Sequence, residues 1–136
     1  MSSPARSIPF ANHGSPQQSG HEGGPGIVAA TDPSLTGLGD LVSRDDDRLY
    51  IAAFVGSQRT GGYAIRVAGV DRAGDTLTVR ALFVVPAPDA LTIQVLTSPA
   101  HLVSIERQSA AGARDIVLVD QTAAERARGV VRQSTP

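Results

Sequence analysis

The chain reads as an all-β domain with at most one short helix, built as a small antiparallel β-sandwich or a partly open barrel. Three observations predict this. Apolar runs of strand length, several with strict alternation, recur from Leu49 onward. Gly-, Pro- and Asp-containing turn segments separate them at short intervals. Helical spacing of apolar side chains is clear in only one short stretch, at Leu35, Leu38, Leu41 and Val42.

Residues 1–25 are rich in Gly, Pro and Ser and read as a flexible arm, since such sequence buries too little apolar surface to offset the entropy of ordering it. One anchor stands out in it. Ile8-Pro9-Phe10 is an apolar triplet fit for a short edge strand at 8–10, where Pro is tolerated. The β domain then runs over 26–120, starting with a short strand at Ile27-Val28-Ala29-Ala30. Asp32 followed by Pro33 is a helix start, an Asp cap with Pro in the first turn. Gly37 and Gly39 each cost about 1 kcal/mol against Ala inside a helix, so the helix must be short. Residues 44–48 form a polar turn.

Residues 49–55 are continuously apolar and end at Gly56, the pattern of a strand buried on both faces. Tyr63, Ile65 and Val67 alternate with Ala64 and Arg66, giving a half-buried strand. Arg72-Ala73-Gly74-Asp75 has hairpin-turn chemistry. Beyond it Leu77, Val79, Ala81, Phe83 and Val85 face one way, the clearest period-two segment of the chain. Pro86 and Pro88 interrupt it, after which Leu91, Ile93 and Val95 predict another strand. Further strands are expected at 102–106 and 116–119, and a tail at 121–136 with a helical turn around Ala123-Ala124-Glu125-Arg126.

Composition narrows the function. With 136 residues there is room for one core, and with three Phe, two Tyr and no Trp it must be aliphatic. The 12 basic and 13 acidic residues are interleaved, so no basic face points to nucleic acid. No apolar run approaches the ~20 residues of a membrane span. The absence of Cys excludes disulfides, thiolate metal sites and a Cys nucleophile. No cofactor motif occurs: Gly61-Gly62 lacks the spacing and the following Lys of a phosphate loop. His13, His21 and Glu22 match no metal-ligand spacing, and Asp45-Asp46-Asp47 lacks the Gly and distant Glu of a calcium loop. His13 and His21 fall in the arm, and His101, beside a turn, reads as a partly exposed structural histidine without a nucleophile motif. The chain is expected not to be an enzyme.

The candidate site is the loop Arg59, Thr60, Gly61, Gly62 and Tyr63. Adjacent glycines allow positive φ and close approach of another backbone. Tyr63 adds an aromatic body with a polar tip, a side chain favoured at protein interfaces. Thr60 supplies an orienting hydroxyl and Arg59 a flanking polar contact. The competing reading is a plain hairpin, with glycines that fit the turn and a Tyr that caps the core.

Val55-Gly56-Ser57-Gln58-Arg59-Thr60-Gly61-Gly62-Tyr63-Ala64-Ile65, then Gly74-Asp75-Thr76-Leu77-Thr78-Val79, then Gln94-Val95-Leu96-Thr97-Ser98-Pro99, resemble in order the motifs of the PrcB C-terminal domain family. The resemblance is best over 49–107. It implies a non-catalytic, mostly exported bacterial domain, whose namesake is an accessory subunit that assembles or stabilises a cell-surface protease complex. It also implies that Ile8-Pro9-Phe10 and Ser19-Gly20 are ordered against the sheet. The chain departs from the family in having Val85-Pro86-Ala87-Pro88-Asp89-Ala90 where relatives carry a Pro-Gly-Pro-Gly-Cys-like segment. It also lacks their Trp-containing helix, and residues 1–10 contain no leader-like apolar region. An extracytoplasmic location is favoured over a cytoplasmic one. A looser likeness joins Gln58-Arg59-Thr60-Gly61-Gly62-Tyr63 to chagasin-type inhibitors of cysteine proteases, which present a Thr-Thr-Gly-Tyr-like loop. The expected function is thus a non-catalytic protein-binding module with a protein partner, which the resemblance implies is a protease complex that it assists or stabilises; the alternatives are a chagasin-like inhibitor and a purely structural envelope domain.

Overall fold

A computed structural model of the chain describes residues 6–132. Nine strands make one sheet: β1 (Arg6–Ile8), β2 (Phe10–Gly14), β3 (Gly26–Ala30), β4 (Arg48–Phe54), β5 (Ala64–Ala73), β6 (Thr76–Val84), β7 (Ala100–Glu106), β8 (Asp115–Val119) and β9 (Glu125–Arg132). Their spatial order is β1-β5-β6-β8-β9-β3-β4-β7-β2. The first and last strands in that order are neighbours in sequence, with Pro9 alone between them. The sheet therefore curls into a nearly closed barrel.

The all-β expectation holds, and the barrel is the architecture adopted. Most pairings are antiparallel, as expected, but β3–β9 and β6–β8 are parallel. Each predicted strand from 49 to 85 is present, and Gly74, at φ 61°, turns β5 into β6. The alternation of β6 places Leu77, Val79, Ala81 and Phe83 inside the barrel. They meet Ile51, Val103, Ile105, Ile116 and Leu118 from the other strands, a core of aliphatic side chains as composition requires.

β4 is buried on both faces. Leu49, Ile51 and Ala53 point into the barrel, while Tyr50, Ala52 and Phe54 join a second cluster with Leu38, Ala100 and Leu102 outside it. That outer cluster is roofed by two 3₁₀ turns, Pro33–Thr36 and Gly39–Leu41, where a short helix was expected. Asp32 caps the first turn by accepting from Ser34 N–H, and Gly37, at φ 81°, ends it before an α-helix can propagate.

Three further expectations are corrected. The arm is not uniformly loose: β1 pairs with β5, and β2 with β7, so the apolar triplet closes the barrel. Pro9 explains the switch. Having no N–H, it cannot extend the ladder with β5, and the chain crosses to β7 at that point. Composition offered the triplet as a single edge strand at 8–10; its division between β5 and β7 depends on strands distant in sequence. The tail forms no helical turn at 123–126; β9 returns beside β8 and continues parallel to β3. Its residues are mostly exposed on one face, so alternation was weak in the sequence. No strand forms at 91–95, for reasons given below. Residues 1–5 of the arm and 133–136 of the tail lie outside the described residues.

Candidate functional site

The predicted loop leaves β4 at one end of the barrel and is fixed on two sides. Gly56 adopts φ 100°, and a Cβ there would lie 2.5 Å from the Gly23 carbonyl oxygen, so the loop begins packed against the 23–24 backbone. Ser57 N–H donates to the Gly23 carbonyl at 2.9 Å. Gln58 exchanges two backbone hydrogen bonds with Thr97, at 2.7 and 2.8 Å. The Thr97 hydroxyl donates to the Thr60 carbonyl, and Gly61 N–H donates to the Ile93 carbonyl. The loop is thereby stitched to the segment that follows Pro88.

Within it the two glycines differ. Gly62 has φ 94° and packs where a Cβ would fall 2.9 Å from Pro86 Cβ; Gly61 has no atom within 4 Å of a Cβ position. Only Gly62 is needed by the backbone. Gly61 leaves an open approach, while the Thr60 hydroxyl is turned inward to the Gly61 carbonyl at 3.1 Å. Arg59 is exposed and Tyr63 half-buried.

The structure adds a feature that sequence reasoning assigned to the core. Leu91, Ile93 and Leu96 are 104%, 74% and 71% exposed, and Val85 is 67% exposed. Residues 89–96 alternate as a strand does but pair with no strand among the described residues. Their backbone bonds are Ala90 N–H to the Ala87 carbonyl, Val95 N–H to the Ile93 carbonyl, and the link from Gly61. Pro86 and Pro88 direct the chain off the end of β6 before this segment. The sequence signal was weak: apart from Asp89, the stretch between Pro88 and Pro99 is uncharged, as a buried strand would be. The surface at this end therefore combines Tyr63, open Gly61 and four outward aliphatic side chains.

The histidines lie elsewhere than expected. His101 is not beside an exposed turn but 2% exposed on β7. Its Nδ1 accepts Val67 N–H at 2.8 Å, and its Nε2 lies 2.9 Å from Asn12 Oδ1. His13 is held on β2, 2.7 Å from the Ser104 hydroxyl, which also accepts from Arg48 Nε. Ser104 is fully buried and His13 partly so. His21 stacks on Phe54 with ring centroids 4.4 Å apart. No group of three or more His, Asp or Glu among the described residues is placed to hold a metal. No helix among them is long and apolar enough to cross a membrane.

Fold and site define a small β-barrel domain with a glycine-tyrosine loop and an apolar segment displayed at one end. Residues 49–106 match the family model described as PrcB C-terminal. The match runs from β4 through β7 and contains the whole loop and the exposed segment. No curated protein and no solved structure matches the chain.

Proposed function

We propose that this is a non-catalytic protein-binding module that engages its partner with the barrel end formed by Arg59, Thr60, Gly61, Gly62, Tyr63 and the apolar segment 89–96. The observation that carries this reading is the exposure of Leu91, Ile93 and Leu96 beside a loop hydrogen-bonded to Ile93. Exposing such side chains in water is unfavourable by about 1.5–3 kcal/mol each relative to burying them, which a partner's apolar surface would recover. The family name supports an accessory role in an extracytoplasmic protease complex. The Tyr63 loop also fits the inhibitor reading, which requires it to enter an active-site cleft.

Binding is tested by placing a photo-crosslinking residue at Ile93 in the full chain, in the native host. Repeated capture of one protease-complex component, lost with Tyr63→Ala or Leu91→Asp at unchanged fold, supports the reading. Undiminished capture in both variants overturns the assigned surface. Inhibition of papain-like proteases by the pure protein would select the inhibitor alternative.

A further inference from the structure

The barrel is closed unevenly. β1 covers β5 only at Val70, Asp71 and Arg72, and β2 covers β7 from Ile105 to Leu102. Between them, the first half of β5 faces β7 across a seam with no strand pairing. His101 fills that seam. Its ring points inward from β7, takes the Val67 N–H of β5 on Nδ1, and meets Asn12 of β2 through Nε2. Three strands therefore meet at one imidazole.

This geometry fixes the ring's chemistry. Because Nδ1 accepts a backbone N–H, it carries no proton, and Nε2–H is the donor to Asn12 Oδ1. Asn12 Oδ1 also accepts from Gly14 N–H, which fixes it as the acceptor. Only this neutral tautomer satisfies both bonds. A proton added from solvent at Nδ1 would convert the acceptor into a donor facing the Val67 donor, and that hydrogen bond would be lost.

We propose that His101 is a proton-sensitive lock on the barrel seam, whose protonation frees the first half of β5 and the Tyr63 loop joined to it. Tyr63 immediately precedes β5, so loosening at Val67 propagates to the loop through three residues of strand. The charged and titratable groups around the ring act in one direction. Arg66 comes from β5 and His13 from β2, with Arg48 of β4 beside His13. Opposite His101 on β4 is Ala53, and on β7 its neighbours are Ala100 and Leu102. The carboxylates on these strands, Asp71 of β5 and Glu106 of β7, stand four and five residues along from Val67 and His101, and the charges acting on the ring are those of Arg66 and His13. Burial, then Arg66, then His13 hold its pKa below the ordinary value. The lock is therefore closed at neutral pH and opens on acidification.

The test is amide hydrogen exchange on the full chain at about pH 7.5 and about pH 5, corrected for intrinsic exchange. Protection at Arg66, which pairs with Leu82 of β6, and at Val67 should fall on the order of tenfold at the lower pH, while Ile51 and Val79 keep theirs. In His101→Gln, which cannot titrate, protection at Arg66 should be the same at both pH values. The same change in His13→Gln should leave the response intact. If the His101 variant does not fold, ¹⁵N shifts of the wild-type ring decide: the Nδ1 titration must coincide with the loss of protection. Protection that ignores pH, or a pH response that survives His101→Gln or vanishes in His13→Gln, overturns the proposal. A partner-binding measurement is not involved, so failure of the binding surface would leave this result unaffected.

Discussion

Gly56 and Gly23 touch backbone to backbone: a Cβ on Gly56 would sit 2.5 Å from the Gly23 carbonyl oxygen, and Ser57 N–H bonds to that same oxygen. The contact joins the end of β4 to the segment entering β3 and so sets where the Tyr63 loop starts. It also separates the glycines of the site by task. Gly56 and Gly62 hold backbone positions closed to other residues, whereas Gly61 borders open space.

Gly56→Ala combines a left-handed φ with a backbone clash and is expected to cost at least about 2 kcal/mol. Gly61→Ala, with neither, should change stability by less than about 0.5 kcal/mol. Urea unfolding of both variants, with m unchanged, checks the difference. Equal midpoints would mean that the 23–24 contact does not constrain the loop.

Ile8→Ala tests whether the N-terminal triplet belongs to the core. Ile8 is 5% exposed in the barrel cluster, so truncation should destabilise by about 2–4 kcal/mol. A loose arm would tolerate it without a measurable change in the unfolding midpoint.

Leu91→Ser and Ile93→Ser should leave stability within about 0.5 kcal/mol of the parent, because the side chains they replace contact mainly water. A thermal melt shifted down by several degrees would show that the segment packs on the barrel after all.

Ala123 is the one non-glycine residue with positive φ, at 67°, among the described residues. It sits in the β8–β9 turn, where the Asp120 carboxylate accepts from Thr122 and Ala124 N–H. Ala123→Gly relieves the steric penalty and should stabilise by up to about 1 kcal/mol. The Thr122 hydrogen bonds lead the causes that lower the Asp120 pKa to about 2. A carbon-detected titration should show this carboxylate ionised well below the usual aspartate range.

Global stability should also fall with acid through the histidines. His13 and His101 both have folded pKa values below the ordinary 6.5, chiefly from burial. The unfolded chain takes up these protons first, so their contribution is complete above pH 6.5 and is lost progressively below it. Urea midpoints should therefore decline between neutrality and mild acid. Midpoints that rise on acidification would contradict this assignment.

The central strands were legible because period-two alternation is local. Leu77, Val79, Ala81 and Phe83 declare one face of β6 wherever the chain puts it, and the Gly74 turn needs only its own φ. The loop at 59–63 was legible as a loop for the same reason. Its neighbour was not, since Leu91, Ile93 and Val95 carry a strand's alternation that nothing in the sequence distinguishes from a buried one.

By itself the sequence determined an aliphatic, all-β domain of one core, with a Gly-Gly-Tyr loop between its second and third long apolar runs. Only the tertiary structure decided that Pro9 hands the chain from one barrel edge to the other and that His101 fills the seam left between them. It likewise decided that segment 89–96 stays outside the wall. The reason is physical: alternation fixes which way a side chain points, but burial depends on which distant strands arrive opposite it.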